Sequence, residues 1–236
     1  YARGLLAAGA LALPRLLAGR SGDLPDARPL PGVPGFRYLE TGAVSVPAAL
    51  IGLEPAPISP EDAAEIARVR DDPAAALFGA VPAGLVPLAM FTDVNCPNCK
   101  GLSEILSRWQ REARPGLAIC WHELPLLGPT SEAAARAALA AELQGGYLAM
   151  HDRLISGRGR PTPAFLTAIA RDQGLDPARL MTDMTGEAVA ARLRTTRALA
   201  HLLGIPGTPA LVIDRLLVIG ALPEPMLDRL VRAAGT

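Results

Sequence analysis

A strand, helix, strand unit with two cysteines at its first turn constrains the fold of this chain more than any other feature. Residues 85–92 form a near-continuous apolar run of strand length, the pattern of a strand buried on both faces of a sheet. The segment Cys96-Pro97-Asn98-Cys99 follows closely, and apolar residues then mark one face of a helix: Leu102, Ile105, Leu106 and Trp109. A second apolar run at 117–124 completes the unit, so we expect two parallel strands joined by a right-handed crossover.

Helices are predicted on both sides of this unit. Ser59-Pro60-Glu61 supplies an N-cap, a proline at the first helical position and an acid, which predicts a helix to about Arg70 that Asp71-Asp72-Pro73 ends. Further helices are expected over 131–143, 147–155, 162–173 and within 177–203, with a closing helix over 223–233. Two short apolar strands, 210–213 and 216–219, stand between them. The order indicates an α/β fold with a helical insertion at about 130–203.

The N-terminal part has a different composition. Residues 1–20 resemble an export signal, with Arg3 followed by an apolar run, although an amphipathic helix is the alternative. Residues 21–58 are rich in Pro and Gly and predict an extension with a short strand near 36–39. We therefore expect the main domain over 59–236.

Composition excludes several classes of protein. Lys plus Arg and Asp plus Glu number 23 each, so the chain lacks the basic excess that binds nucleic acid. No apolar run reaches the roughly 18 to 20 residues that span a bilayer. Three cysteines are too few for a disulfide scaffold in a chain of 236 residues.

The chemistry is expected at Cys96 and Cys99. The helix begins at Pro97, which places Cys96 at its N-cap, where free amides and the helix dipole stabilise a thiolate. Cys96 is thus the predicted exposed nucleophile, and Cys99, one turn later, is the predicted resolving thiol. A zinc site would need a second ligand pair, and a structural disulfide closing so small a ring would constrain the unfolded chain little.

Four segments resemble the DsbA-like branch of the thioredoxin superfamily. They are residues 86–99, His122-Glu123-Leu124-Pro125-Leu126-Leu127-Gly128-Pro129, His151-Asp152-Arg153-Leu154, and 203–210. The resemblance covers about residues 72–236. It implies a thioredoxin-like fold with an inserted helical domain and an enzyme that forms or exchanges disulfides in the bacterial periplasm or elsewhere outside the cytoplasm.

The same resemblance implies further site residues and partners. Thr208-Pro209 would form a cis peptide bond facing the cysteines, in a loop whose backbone binds the substrate chain. Pro97 and Asn98 would support the pair. The implied partners are exported proteins with thiols or disulfides and a redox partner in the membrane, and we expect no cofactor and no metal.

Two departures from the family pattern concern the redox poise. Strongly oxidising members carry His between the cysteines, whereas Asn98 cannot become a cation. Thr208 before the proline is more similar to the isomerase and reductase relatives, and Lys100 is expected to add a positive charge beside the pair. An isomerase or reductase, or a copper- or zinc-binding module, therefore stays as an alternative to an oxidase.

Other polar residues have weaker signals. Asp93 and Glu123 end the two predicted parallel strands, and either is a candidate proton relay for Cys99, with a structural carboxylate as the alternative. Three histidines, at 122, 151 and 201, lack ligand spacing and are interpreted as structural. Cys120 is expected to be a buried strand residue.

Overall fold

The computed structural model describes residues 27–46, 58–157 and 159–235. The predicted signal-like segment, 1–20, lies outside these ranges. The elements are β1 (Arg28–Pro29), β2 (Arg37–Glu40), α1 (Pro60–Asp71), α2 (Pro73–Phe78), β3 (Val86–Thr92), α3 (Pro97–Arg111), β4 (Leu117–Glu123), α4 (Pro129–Glu142), α5 (Tyr147–Ser156), α6 (Pro163–Asp172), α7 (Pro177–Asp183), α8 (Glu187–Leu202), β5 (Ala210–Ile213), β6 (Leu216–Ile219) and α9 (Glu224–Ala234).

The strand, helix, strand unit is present as predicted. β3 and β4 pair in parallel, with Val86 opposite Leu117 and Thr92 opposite Glu123. Their carboxyl ends therefore lie side by side, at the same edge of the sheet as the start of α3. This register brings the residues after β3 close to those after β4.

A hairpin completes the central sheet. β5 pairs antiparallel with β3 on one side and with β6 on the other. The hairpin turn places Asp214 at φ 52°, a left-handed conformation that aspartate tolerates better than most residues. Because β5 runs against β3, its first residue, Ala210, lies beside Phe91 near the cysteine end of β3.

The extension contributes to the sheet. β2 pairs in parallel with β6, and β1 pairs antiparallel with β2, which gives the strand order β1-β2-β6-β5-β3-β4. The short strand predicted near 36–39 is thus confirmed as β2. Part of the segment from 21 to 58 belongs to the same sheet as the cysteine unit.

Apolar side chains pack on both faces of the sheet because β3 alternates between them. Ala89 and Phe91 face a cluster formed with α1, α2 and α8. Leu88 and Met90 face a second cluster, formed with α3 and α9. Burying a side chain of the size of Leu, Met or Phe contributes about 1.5–3 kcal/mol.

The helical insertion runs from α4 to α8 between β4 and β5, close to the predicted bounds. Its core uses small residues, including three pairs of buried alanines at 134–135, 137–138 and 140–141, with larger side chains between the helices. One helix was not predicted: Asp72 ends α1, but its carboxylate also accepts a hydrogen bond from Ala75 N and caps α2. No helix in the described ranges is long and apolar enough to cross a membrane.

Candidate active site

Cys96 lies at the N-cap of α3, as predicted. A turn connects it to β3, with Cys96 N donating to Asp93 O at 3.0 Å, and Pro97 is the first helical residue. Cys99 lies one turn into the helix, and its backbone N donates to Cys96 O at 3.1 Å. Both cysteines are free thiols in this structure.

The two thiols have opposite pKa shifts. The pKa of Cys96 is lowered to about 6, first by the hydrogen bond from the Cys99 side chain and then by Ser45 and Thr208, against the effect of burial. Burial and the neighbouring Cys96 raise the pKa of Cys99. At neutral pH the pair therefore has one thiolate, on Cys96, stabilised by a thiol on Cys99.

Cys96 is less accessible than predicted. Its residue surface is 1% exposed and that of Cys99 is 0% exposed, so the prediction of an exposed nucleophile is wrong for this structure. Two groups from distant parts of the sequence cover the sulfur. The Oγ atom of Ser45 and the carbonyl oxygen of Thr208 each lie 3.3 Å from Cys96 Sγ.

Thr208 and Pro209 lie in the loop before β5 that faces the cysteines. The peptide bond between them is cis, as the resemblance implied. It precedes β5, and the pairing of β5 with β3 carries Thr208 to the cysteines. The Thr208 hydroxyl is buried and has no hydrogen-bond partner within the described residues. The Thr208 side chain nevertheless contributes to the lowered pKa of Cys96.

The residues flanking the thiolate form a short polar chain. Asn98 Nδ2 donates to Ser45 Oγ at 3.4 Å, and that hydroxyl can then donate to the Cys96 sulfur. Lys100 is exposed, and the groups that lower the pKa of Cys96 most are Cys99, Ser45 and Thr208 rather than this cation.

Asp93 is buried and holds the loops at this edge of the sheet. Its Oδ1 accepts from Asn95 N at 2.9 Å and from the Ser131 hydroxyl at 2.6 Å. Its Oδ2 accepts from the backbone of Leu126 at 2.7 Å and of Leu127 at 3.0 Å. Four donors thus fix this carboxylate between the turn before Cys96 and the start of α4.

Glu123 belongs to a buried polar network. Its Oε1 accepts from the Tyr147 hydroxyl at 2.7 Å and from His151 Nδ1 at 2.8 Å. His151 Nε2 lies 3.2 Å from the Ser103 hydroxyl on α3. Glu123 Oε2 is buried and has no hydrogen-bond partner within the described part of the chain. Since Ser103 follows Cys99 by four residues, it lies on the same face of α3.

The other predicted residues have simpler surroundings. His122 is structural, because its ring nitrogens contact Leu77 O and the Thr196 hydroxyl, and burial lowers its pKa to about 4. His201 is exposed. Cys120 is only half-buried, since β4 is the last strand of the sheet order, and the expectation of a buried residue is wrong.

Two residues of the site, Ser45 and Ser103, are not predicted from the sequence. Ser45 reaches Cys96 from the N-terminal extension, and no local pattern marks it. Ser103 looks like an ordinary polar residue within an amphipathic helix. The spacing of His151 indicates a structural residue, whereas its position in the family-like segment containing Asp152 is a signal for the site.

Comparison with known proteins agrees with this geometry. Residues 88–232 match the family described as DSBA-like thioredoxin domain. A thioredoxin-like oxidoreductase from Silicibacter pomeroyi DSS-3 is 35% identical, with 68% of this chain and 96% of that chain covered and a TM-score of 0.61. A periplasmic thioredoxin-like protein from Salmonella enterica serovar Typhimurium is 32% identical, with 68% and 94% covered and a TM-score of 0.59.

A curated relative is of a different kind. The Na(+)/H(+) antiporter NhaA 1 of Salinispora arenicola is 30% identical over 131 residues, which are 55% of this chain and 20% of the antiporter. This chain therefore spans about a fifth of the length of the curated relatives it matches.

The match to residues 88–232 extends over more than half of the chain and contains the cysteine pair, the helical insertion and the C-terminal hairpin. The predicted thioredoxin-like fold is thereby confirmed, and the chain belongs to the DSBA-like thioredoxin domain family.

Proposed function

We propose that this chain is a thiol-disulfide oxidoreductase whose oxidised form donates its disulfide to exported proteins. The two thiols have opposite pKa shifts, with the pKa of Cys96 near 6 and that of Cys99 raised. A nucleophilic thiolate beside a protonated thiol is what a two-step exchange requires. The family match and the oxidoreductase from Silicibacter pomeroyi support it.

Disulfide exchange takes place in two steps. In the oxidising direction a substrate thiolate attacks the Cys96 sulfur, forming a mixed disulfide and releasing Cys99 as a thiolate that takes up a proton. A second substrate thiolate then attacks the substrate sulfur and expels the Cys96 thiolate. The substrate loses two electrons and the pair gains them, and a redox partner in the membrane reoxidises the pair. In reverse, Cys96 attacks a substrate disulfide and Cys99 resolves the mixed disulfide.

We propose distinct roles for the carboxylates. The four donors around Asp93 support a role in holding the loops. Glu123 is the better candidate for moving protons to and from Cys99, because His151 and Ser103 link it to the face of α3 that carries this thiol. Pro97 sets the helix start, and the backbone of Thr208 is the proposed contact for the substrate chain.

The alternatives have less support. A zinc module would need ligands besides the two cysteines, and within the described ranges no group of three or more His, Cys, Asp or Glu side chains could hold a metal ion. Two thiolates can bind copper(I) without further ligands, so the metal content of the purified protein decides that case. An isomerase or reductase uses the same pair, and only the direction of electron flow separates it from an oxidase. The relative from Salmonella enterica is described as periplasmic, which supports a location outside the cytoplasm for this chain.

The test is oxidation of a reduced, unfolded protein whose native disulfides are known. We expect the oxidised wild type to form disulfides stoichiometrically and Cys96→Ser to be inactive. When it is given a substrate that already contains a disulfide, Cys99→Ser should accumulate a mixed disulfide through Cys96, because the resolving thiol is missing. A wild type that isomerises a scrambled substrate but does not oxidise a reduced one would favour the isomerase. Purified protein carrying one equivalent of metal, without exchange activity, would favour the metal module.

A further inference from the structure

The chain after β2 continues into the active site. Residues 41–46, here called the strap, first follow β6, with Thr41 N donating to Ile219 O at 2.9 Å. The strap then forms an antiparallel bridge with the loop before β5. Ser45 N donates to Thr208 O at 2.7 Å, and Thr208 N donates to Ser45 O at 3.0 Å. The backbone of Thr208 is thus fully paired by the chain's own N-terminal part.

The strap fits closely against its surroundings. A Cβ atom added at Gly207 would lie 2.3 Å from Ser45 O, and one at Gly42 would lie 2.4 Å from Ala221 O. Only glycine allows two backbones to approach to such distances. The glycines at 207 and 42 therefore allow the strap to pack closely against the cis-proline loop and against the chain after β6.

The bridge aims one side chain at the nucleophile. Ser45 pairs with Thr208, and its Oγ atom lies 3.3 Å from Cys96 Sγ. Serine differs from cysteine by one atom, oxygen in place of sulfur. A substrate cysteine paired with Thr208 in the same way would place its sulfur against Cys96, where exchange requires it.

We infer that the strap is a built-in pseudosubstrate: it occupies the substrate's strand, with Ser45 at the position of the reacting cysteine, and it must leave Thr208 before exchange begins. This inference rests on the proposed function. It names the preferred substrate as an extended segment whose cysteine pairs with Thr208, and it accounts for a nucleophile that is 1% exposed.

The strap can be displaced at modest cost. Gly42, Ala43 and Val46 are exposed, so hydrogen bonds rather than apolar burial hold most of it. An extended substrate restores the two backbone bonds to Thr208 that the strap gives up. Because the strap is tethered, it competes with a substrate segment at a high effective concentration. Only molecules in which the strap has left Thr208 can react, so the apparent exchange rate is the intrinsic rate multiplied by the fraction of such molecules.

The first experiment tests the position of Ser45. In full-length protein with Cys99→Ser and Cys120→Ala, Ser45→Cys is compared with Val46→Cys during oxidation by oxidised glutathione, which takes up two electrons as two glutathione thiols form. Successive side chains of an extended segment point to opposite sides, so position 46 is a matched control on the same tether. We expect the disulfide between positions 45 and 96 to form at least about tenfold faster than that between 46 and 96. Equal rates would overturn the proposed register.

The second experiment tests the competition. Gly42→Val places side-chain atoms against Ala221 O, and Ser45→Pro removes the amide that donates to Thr208 O. Both variants are expected to react with a short cysteine-containing disulfide peptide several-fold faster than the wild type. If the wild type exchanges and both folded variants react at its rate, the pseudosubstrate role is wrong while the proposed function stands. If no form of the protein exchanges, the proposed function fails and the inference fails with it.

Discussion

The Oγ atom of Ser45 lies 3.3 Å from the Sγ atom of Cys96, although 51 positions separate the two residues in the chain. This hydroxyl has two opposite effects on the nucleophile. As a hydrogen-bond partner it lowers the pKa of Cys96, which increases the thiolate fraction. As part of the strap it limits access to the same sulfur. The reduced site is thus ionised at neutral pH but covered.

The ionisation of Cys96 predicts a pH-dependent absorbance. We expect the ultraviolet absorbance of the thiolate in the reduced protein to rise with a midpoint near pH 6. The pKa of Cys120 is raised by burial, so this thiol should titrate only at alkaline pH. The low transition should be absent in Cys96→Ser and unchanged in Cys120→Ala. A single transition above pH 8 in the wild type would contradict the assignment of the thiolate.

The same pKa predicts a change in stability with pH. The folded-state pKa of Cys96, about 6, lies below the unfolded value of about 8.5, so between these values the unfolded chain binds more protons. The free energy of unfolding of the reduced protein should therefore rise from about pH 6 to about pH 8.5, and this gain should vanish as pH falls through 6. Above that window the raised pKa of Cys99 acts in the opposite direction.

Urea unfolding of the reduced wild type and of Cys96→Ala at several pH values checks this prediction. His122 also adds stability as pH rises, because its folded pKa of about 4 is below the usual value. The difference between the two proteins cancels that contribution. A difference that does not depend on pH would contradict the prediction.

Asn98 is predicted to keep the pair a moderate oxidant. A Cys96 pKa of about 6 lies between about 3.5 for a strong oxidant and about 7 for thioredoxin, and we expect a reduction potential of roughly −150 to −220 mV. Asn98→His should lower the pKa of Cys96 and raise the potential by roughly 30 to 60 mV, since about 30 mV corresponds to one pKa unit.

Glutathione redox titrations of wild type, Asn98→His and Asn98→Ala measure these potentials. Asn98→Ala is the control, because it removes the amide that donates to Ser45 without adding a cation. We expect its potential to stay level or fall. A wild type already near −120 mV, or a histidine variant whose potential falls, would show that residue 98 does not set the redox poise.

Asp93 is predicted to matter for stability. Asp93→Asn puts an amide nitrogen where the structure has an acceptor facing several donors, and we expect a loss of about 2–4 kcal/mol in the free energy of unfolding. The matched control is Asp72→Asn, at an exposed N-cap with one bond to Ala75 N, where asparagine caps as well as aspartate. Chemical denaturation of both variants measures the effect. Similar small losses in the two would show that the buried donors do not depend on the charge of Asp93.

Glu123 is predicted to affect one step of the reaction. If it accepts the proton of Cys99 through Ser103 and His151, Glu123→Gln should slow resolution of a preformed mixed disulfide on Cys96 by about tenfold or more near pH 7. Tyr147→Phe removes a donor to the same carboxylate but leaves the link to His151, so it should slow the step less.

Stopped-flow measurement of resolution over a range of pH separates relay from structure. A relay changes the pH dependence of the resolution rate, whereas a purely structural role changes the free energy of unfolding alone. A folded Glu123→Gln variant with the wild-type pH profile would rule out the relay.

Those parts of the site that depend on neighbours in the chain could be predicted from the amino-acid sequence. The apolar run of β3, the proline after Cys96 and the apolar face of α3 predicted both the position of the cysteine pair and the ranking of its two thiols. The hairpin strands β5 and β6 were also predicted at their observed bounds. These features are local, because hydrophobic periodicity and helix caps are set within a few residues.

The surroundings of the two sulfur atoms depend on long-range contacts in the folded chain. The bridge between Ser45 and Thr208 is formed by backbone N–H and C=O groups, which every residue except proline has. No pattern of side chains in the sequence could therefore predict this bridge. The link from Glu123 to Ser103 through His151 joins β4, α5 and α3, whose relative placement depends on the packed core. The position of Cys96 at a helix end therefore predicts an exposed nucleophile. In the folded protein its sulfur is covered, because the sheet brings the strap across it.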